Sequence, residues 1–167
     1  MNRRMQVSGG YPEYLQQLDR ARRFLDRVDR HIEDLEQIDS VEFQDMMWSF
    51  FQHCWHVKDW VKNDQALSPA QVAAVLAKAC ESASLIVCQD ICNATKHLQL
   101  SRPRSGTGAG HRHVETIIEP ERGRLEVDCI IYDGQGHTIS GKQLGRDCID
   151  EWERILQSEG LATARRS

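Results

Sequence analysis

Residues 41–64, VEFQDMMWSFFQHCWHVKDWVKND, decide the expected fold because their apolar side chains recur with helical spacing. At about 100° per residue, one broad arc collects the large apolar side chains and a cysteine: Met47, Phe50, Phe51, Cys54, Val57 and Val61. A second arc carries His56, Asp59 and Asn63 and is bordered by the indoles of Trp48 and Trp55. The stretch therefore predicts a helix with one core face and one polar row.

Two further helices are predicted on either side of this one. Before it, Pro12–Ile38 carries an apolar seam with alternating spacings of three and four residues: Tyr14, Leu18, Ala21, Leu25, Val28, Ile32 and Leu35. After it, Ser68 and Pro69 form a cap and a first-turn proline. The helix that starts there runs toward Leu98 either as one long helix or with a bend near Ser82 and Ser84. The arginines between the seam positions of the first helix are typical of a solvated face.

The hydrophobic period changes after the glycine-rich segment 101–111. Alternating apolar residues predict strands at 113–118 and 124–132 and a short strand around 137–140. A final helix is predicted over Gly145–Ser158. The expected fold class is mainly α (α+β): an antiparallel helical bundle over 1–100, a loop over 101–111, and a β-meander plus C-terminal helix packed on the bundle over 112–158. The expected flexible tail spans 159–167.

Composition limits the classes of function. The net charge of −4 gives no global basic field, so a nucleic-acid contact has to come from a local patch. The N-terminal stretch lacks the apolar core of a leader, and no apolar run reaches the ~18 residues of a membrane span. We therefore expect a cytoplasmic protein without membrane contact. All six cysteines lie in periodic apolar segments, which favours reduced core thiols over disulfides.

A second polar row is predicted near the end of the third helix. In VCQDICNATKHLQL, residues 87–100, Asp90, Asn93 and His97 fall on one side, Cys88 and Cys92 on the other, and Lys96 on a flank. The two rows either form a shared site or face water separately. Helices joined by a short break pack antiparallel, so a dimer is one way to bring the rows together.

Metal and nucleophile chemistry receive less support. His53-x-x-His56 with Cys88-x3-Cys92 supplies four zinc ligand types, but the cysteines point into the apolar arc and are better explained as core. Cys54 neighbours both histidines in sequence, yet residues this close on a helix do not face one another. We expect no metal and no cofactor.

The helical hairpin followed by Asn93-x-x-Lys96-His97 resembles the higher eukaryotes and prokaryotes nucleotide-binding (HEPN) superfamily. Its signature is an arginine, a polar residue, three variable residues and a histidine on a late helix. Asn93 and His97 match the polar and histidine places, whereas Cys92 stands where the arginine belongs. A cysteine does not stabilise phosphate charge as arginine does. The resemblance covers roughly residues 12–100.

The resemblance implies a dimeric helical domain that binds RNA or a nucleotide, in the form of a metal-independent endoribonuclease of a bacterial toxin–antitoxin or defence system. His97 is then the general acid or base, Asn93 orients the phosphate and Lys96 neutralises its charge. Asp90, His56, Asp59 and Asn63 are supporting or ligand-binding residues. The alternative is a non-enzymatic dimeric module that binds a protein or a small ligand, with exposed Trp48 and Trp55 as interface anchors.

Overall fold

The computed structural model describes residues 11–30, 40–94, 114–121, 124–132 and 137–163. The elements in these ranges are α1 Glu13–Arg30, α2 Ser40–Asn63, α3 Pro69–Glu81, α4 Ala83–Ala94, β1 Val114–Glu121, β2 Arg124–Tyr132, β3 Thr138–Ser140 and α5 Gly141–Ser158. The strands form one antiparallel sheet in the order β1-β2-β3. The predicted mainly α class with a small antiparallel sheet is confirmed. Residues 31–38 of the predicted first helix lie outside the described ranges.

Helices α1 and α2 form an antiparallel hairpin. The backbone N–H of Tyr14, at the start of α1, donates to the carboxylate of Asp64, just past the end of α2. Further along, the Phe24 ring stacks on His53 with centroids 4.9 Å apart. The described part of the seam predicted for α1, from Tyr14 to Val28, and the apolar arc predicted for α2 are both buried. Burial of these apolar faces, rather than helix propensity, holds the hairpin together.

The third predicted helix is broken in two. Ser68 caps α3 by accepting from the Gln71 N–H, and the Gln71 side chain accepts in return from the Ser68 N–H. At Ser82 the backbone becomes extended, and the Ser82 hydroxyl accepts from the Leu85 N–H at the start of α4. The two helices meet at 83°. Of the two interpretations of this segment, the bend is confirmed.

Within the described residues, no single helix is long and apolar enough to cross a membrane, although α3 and α4 taken together pass that test of length and composition despite their bend.

Helix α5 begins at Gly141, four residues earlier than the predicted start at Gly145. Ser140 ends β3 and also caps the helix, since its hydroxyl accepts from the Gln143 N–H at 3.1 Å. The Asp128 carboxylate of β2 accepts from the Lys142 N–H and from the Ser140 hydroxyl. The predicted start lies too far along the chain because β3 runs directly into α5, with no loop residues between them to mark the boundary.

Helix α5 packs against the hairpin and against α4. Its predicted apolar face is buried: Cys148, Ile149, Trp152, Ile155 and Leu156. The indole N–H of Trp152 donates to the Cys54 carbonyl at 3.0 Å. The start of the predicted tail is held on α1, because the Tyr14 hydroxyl donates to the Ala162 carbonyl and Arg22 donates to that of Thr163.

Candidate functional site

The polar row of α2 is satisfied by local contacts near the end of that helix. The Asn63 side chain is exposed and donates to the Asp59 carbonyl at 2.7 Å. The Asp59 carboxylate pairs with Lys58 at 2.7 Å, and about half of the Asp59 side chain is exposed. Exposed pairs of this kind contribute little to stability. Asp59 and Asn63 therefore form a solvated surface at this end of the bundle.

The polar row of α4 starts inside the protein. Asp90 is buried with 1% exposure, and Asn93 is half-buried. Burying a carboxylate is costly unless it is hydrogen-bonded or paired, so this turn is not an ordinary solvated face. Lys96 and His97 lie outside the described residues, and their predicted roles stay predictions.

The two rows run in opposite directions within one chain. The Ser84 carbonyl accepts from the Cys148 thiol, which lies close to Cys54, whereas the thiol of Cys88 donates to the Phe51 carbonyl. Moving forward along α4 therefore means moving backward along α2. Asp90 and Asn93 follow Cys88 toward the start of α2, away from its last turns. Within the described residues of one chain, Asp90 and Asn93 of α4 therefore do not lie beside Asp59 and Asn63 of α2.

A different surface gathers cations, aromatic rings and histidines on α1 and α2. The Arg20 guanidinium lies over the Trp60 ring at 4.9 Å from its centroid, and that of Arg27 lies over Phe24 at 5.3 Å. Phe24 is in turn stacked on His53. We call this surface the cationic-aromatic face and define it by seven residues: Arg20, Arg23, Phe24, Arg27, His53, His56 and Trp60.

Gln17 is buried beneath this face and fixes the positions of two of its side chains. Its side chain is 2% exposed, and its amide N–H groups donate to the carbonyl of His53 at 2.9 Å and to His53 Nδ1 at 3.1 Å. The Gln17 amide oxygen accepts from Arg20 at 3.1 Å. Because Nδ1 accepts, the neutral ring of His53 carries its proton on Nε2. One buried amide thus orients both an arginine and a histidine.

The pKa of His53 reports the positive field at this face. Desolvation by burial lowers the pKa below the ordinary 6.5, and the nearby charges of Arg20, His56 and Arg23 lower it further. His56, predicted as a supporting residue, therefore lies in the same field as His53. At neutral pH the face holds neutral His53 among cationic guanidinium groups.

The ion pairs of Asp19 and Asp29, two carboxylates of α1, are with other cations. Asp19 and Glu153 both pair with Arg22, at 2.8 and 2.5 Å, and Asp29 pairs with Arg146 at 3.0 Å. Across the described ranges, no carboxylate forms an ion pair with Arg20, Arg23 or Arg27. The cationic-aromatic face therefore keeps its positive charge although the whole chain is acidic.

The α1 arginines are predicted to form a solvated face, the sequence assigns no role to Gln17, Phe24 or Trp60, and His53 enters only as a disfavoured zinc ligand. A signal was available, because Arg20, Arg23 and Arg27 are spaced i, i+3 and i+7, as are His53, His56 and Trp60. Two rows of side chains with the same spacing, on neighbouring antiparallel helices, are expected to face each other. Trp55, expected to be exposed, is 5% exposed under Lys58, and Trp48 is half-buried, so the expectation of two exposed indoles is wrong. Trp55 is buried because its side of α2 packs into the bundle.

The cysteines are free thiols, and all except Cys80 are buried. The zinc set of His53, His56, Cys88 and Cys92 does not assemble in the described residues. Instead the Sγ atoms of Cys54, Cys88 and Cys148 lie within 4.8 Å of one another. Cys148 lies on a helix that is remote in sequence, so spacing alone could not predict this cluster.

No protein-family model, no curated protein and no solved structure matches this chain.

Proposed function

We propose that this chain binds RNA or a nucleotide through the cationic-aromatic face of α1 and α2. The observation that carries the proposal is a row of guanidinium groups that pair with no carboxylate of the described residues and lie beside ring faces of Phe24 and Trp60. Proteins bind single-stranded nucleic acids by placing cations along the phosphates and aromatic rings under the bases. The seven-residue face offers both groups within one surface.

Charge segregation supports the proposal in a chain with net charge −4. Non-specific binding to nucleic acid depends on local phosphate contacts rather than on total charge. The ion pairs of Arg22 and Arg146 with acidic residues lie between α1 and α5, away from the cationic row. Burial is the main cause of the lowered pKa of His53, and the nearby positive charges of Arg20, His56 and Arg23 lower it further.

The proposed chemical step follows from the resemblance to HEPN ribonucleases. In this proposal His97 exchanges a proton with the RNA 2′-hydroxyl or the leaving oxygen, Asn93 orients the phosphate, and Lys96 neutralises charge. Asp90 is buried one turn before Asn93 and serves as a positioning residue for this end of α4. The cationic-aromatic face then holds the strand while the end of α4 acts on it, within one subunit or across a homodimer.

The second candidate is a non-enzymatic dimeric module that binds a protein or a small ligand. Two observations favour it: Cys92 replaces the arginine of the motif, and the polar rows of α2 and α4 diverge in one chain. Without that arginine, the developing phosphate charge has only Lys96 as its proposed partner. In this case the face on α1 and α2 serves binding alone.

Binding is tested by fluorescence anisotropy of a labelled single-stranded RNA with the Arg20→Ala, Arg27→Ala and Trp60→Ala variants. We expect Trp60→Ala to weaken binding by about tenfold, since stacking on a ring stabilises binding by about 1–3 kcal/mol per base. The arginine variants should weaken it by a smaller factor each. Arg154→Ala is the matched control, because Arg154 is exposed on α5 and pairs only with Glu151. Equal affinity in all four variants would remove the face from RNA binding.

Catalysis is tested by incubating the pure protein with total RNA, with and without a chelator. Cleavage that persists with chelator and disappears in His97→Ala supports the nuclease. Cleavage that His97→Ala leaves unchanged removes His97 from the mechanism. RNA binding without cleavage, together with a dimer by size-exclusion chromatography, supports the non-enzymatic module.

A further inference from the structure

Three helices bring three thiols together in the core. Cys54 comes from α2, Cys88 from α4 and Cys148 from α5, and each residue is 0% exposed. Their Sγ atoms all lie within 4.8 Å of one another. The polar atoms around the cluster are few: the Cys88 thiol donates to the Phe51 carbonyl and the Cys148 thiol to the Ser84 carbonyl, both at 3.4 Å. A buried cysteine is usually an isolated small apolar residue, and three in mutual contact form a ligand set.

The sulfur positions suit a three-coordinate ion. A metal–sulfur bond of about 2.3 Å places three trigonal sulfurs about 4 Å apart. Sγ atoms within 4.8 Å of one another have to approach by less than about 1 Å to reach that spacing. Among the described residues, the group contains no histidine, aspartate or glutamate as a fourth ligand. Zinc prefers four ligands, whereas soft thiolate sites select Cu(I).

A surface groove of about 600 Å³ is lined by residues of α4 and α5 that neighbour Cys88 and Cys148 in the chain. Ser84, whose carbonyl accepts from the Cys148 thiol, lines it, as do Val87 and Leu144. The lining also includes three carboxylates and one guanidinium: Asp147, Asp150, Glu151 and Arg154. An excess of acidic groups in a groove raises the local concentration of cations. Ser82, where α3 and α4 meet at a break in the helix, also lines the groove.

We propose that Cys54, Cys88 and Cys148 form a three-sulfur binding site for Cu(I), reached through the acidic groove between α4 and α5. The ion enters as Cu(I), so no electron is transferred. Three Cu–S bonds form, and each of the three thiols that ionises on binding releases one proton to the solvent. The site is independent of the proposed RNA binding, since its residues lie in the core on the α4–α5 side of α2.

The test is an anaerobic titration with Cu(I) against a chromophoric Cu(I) chelator. The protein carries Cys80→Ser, which removes the one exposed thiol among the described cysteines. We expect the chain to take one Cu(I) from the chelator, with X-ray absorption that shows three sulfur neighbours and no nitrogen or oxygen. Cys54→Ala or Cys148→Ala should lower the affinity by about 100-fold or more, given that even the loss of an outer-shell partner costs 10–100-fold. Cys92→Ala, which also removes a buried thiol, is the matched control and should keep the affinity.

Three results would overturn the site: no uptake of Cu(I), uptake that Cys54→Ala and Cys148→Ala leave unchanged, or an X-ray spectrum with nitrogen or oxygen neighbours. Zn(II) bound as tightly as Cu(I) would also contradict the three-coordinate assignment. If either cysteine variant loses its helical circular dichroism signal, the decision rests on the stoichiometry and X-ray spectrum of the Cys80→Ser protein. That protein retains all three ligands and its native core.

Discussion

At the scale of single residues, Gln17 and His53 explain why the cationic-aromatic face has one defined geometry. The Gln17 amide bridges from Arg20 to His53 Nδ1, and so aligns a guanidinium with an imidazole that are 33 positions apart (53 − 20) in the chain. The sequence could not predict this contact, because it depends on which residues of α1 lie opposite which residues of α2 in the hairpin. His56, on the other hand, was predicted as a polar residue of the right helix.

We predict that His53 titrates with a pKa below the ordinary 6.5. The folded protein then binds a proton on His53 less readily than the unfolded chain does. This contribution to stability is fully present above pH 6.5 and is lost as the pH falls through 6.5 toward the lower pKa of the folded state. Histidine ring signals followed by NMR over pH 4–8 measure the value.

Arg20→Gln and Arg23→Gln should each raise the pKa of His53, because each removes a positive charge that disfavours the protonated ring. Arg154→Gln, remote on α5, should leave it unchanged. A His53 pKa at or above 6.5 in the unmodified protein would contradict the positive field described for this face.

At the scale of elements, the junction of β2, β3 and α5 depends on close backbone approach at Gly141. A Cβ atom there would lie 2.6 Å from the Cys129 carbonyl oxygen and 3.2 Å from the end of the Met47 side chain. The carbonyl belongs to β2, where Cys129 is held in the sheet by its pairing with Thr116 of β1. Glycine is therefore required by a contact rather than by its own backbone angles.

We predict that Gly141→Ala lowers the free energy of unfolding by about 1–3 kcal/mol, the usual cost of overpacking a buried contact. Urea denaturation followed by circular dichroism measures it. Asp150→Ala on the exposed side of α5 is the control and should change stability by less than about 0.5 kcal/mol. A Gly141→Ala protein as stable as the parent would show that α5 and β2 do not meet as closely as described.

The elements also show which patterns carry structural information. The apolar arcs predict α1, α2 and the buried face of α5, because a helix that buries one side repeats apolar residues every three or four positions. The predicted start of α5 lies four residues after the observed one, because Ser140 both ends β3 and caps α5. The break at Ser82 was one of two alternatives, and only tertiary packing of α4 under α5 decides between them.

At the scale of the whole molecule, the cationic-aromatic face and the cluster of Cys54, Cys88 and Cys148 lie on different sides of α2. The cationic-aromatic face lies where α2 meets α1, and the three-cysteine cluster lies where α2 meets α4 and α5. The sequence predicted the class of fold but not these assemblies, because each joins residues from helices whose relative order and direction are set by packing. The predicted roles of Lys96 and His97 remain to be tested by RNA cleavage.

The central claim is that guanidinium groups of α1 contact RNA phosphates, and the salt dependence of binding tests it most directly. The affinity for a single-stranded RNA should fall linearly on a plot of log K against log salt, with a slope of about −0.7 for each phosphate contacted. Arg20→Ala and Arg27→Ala should each make the slope shallower by about 0.7, and Arg154→Ala should leave it unchanged. Slopes that are the same in all four proteins would contradict the account.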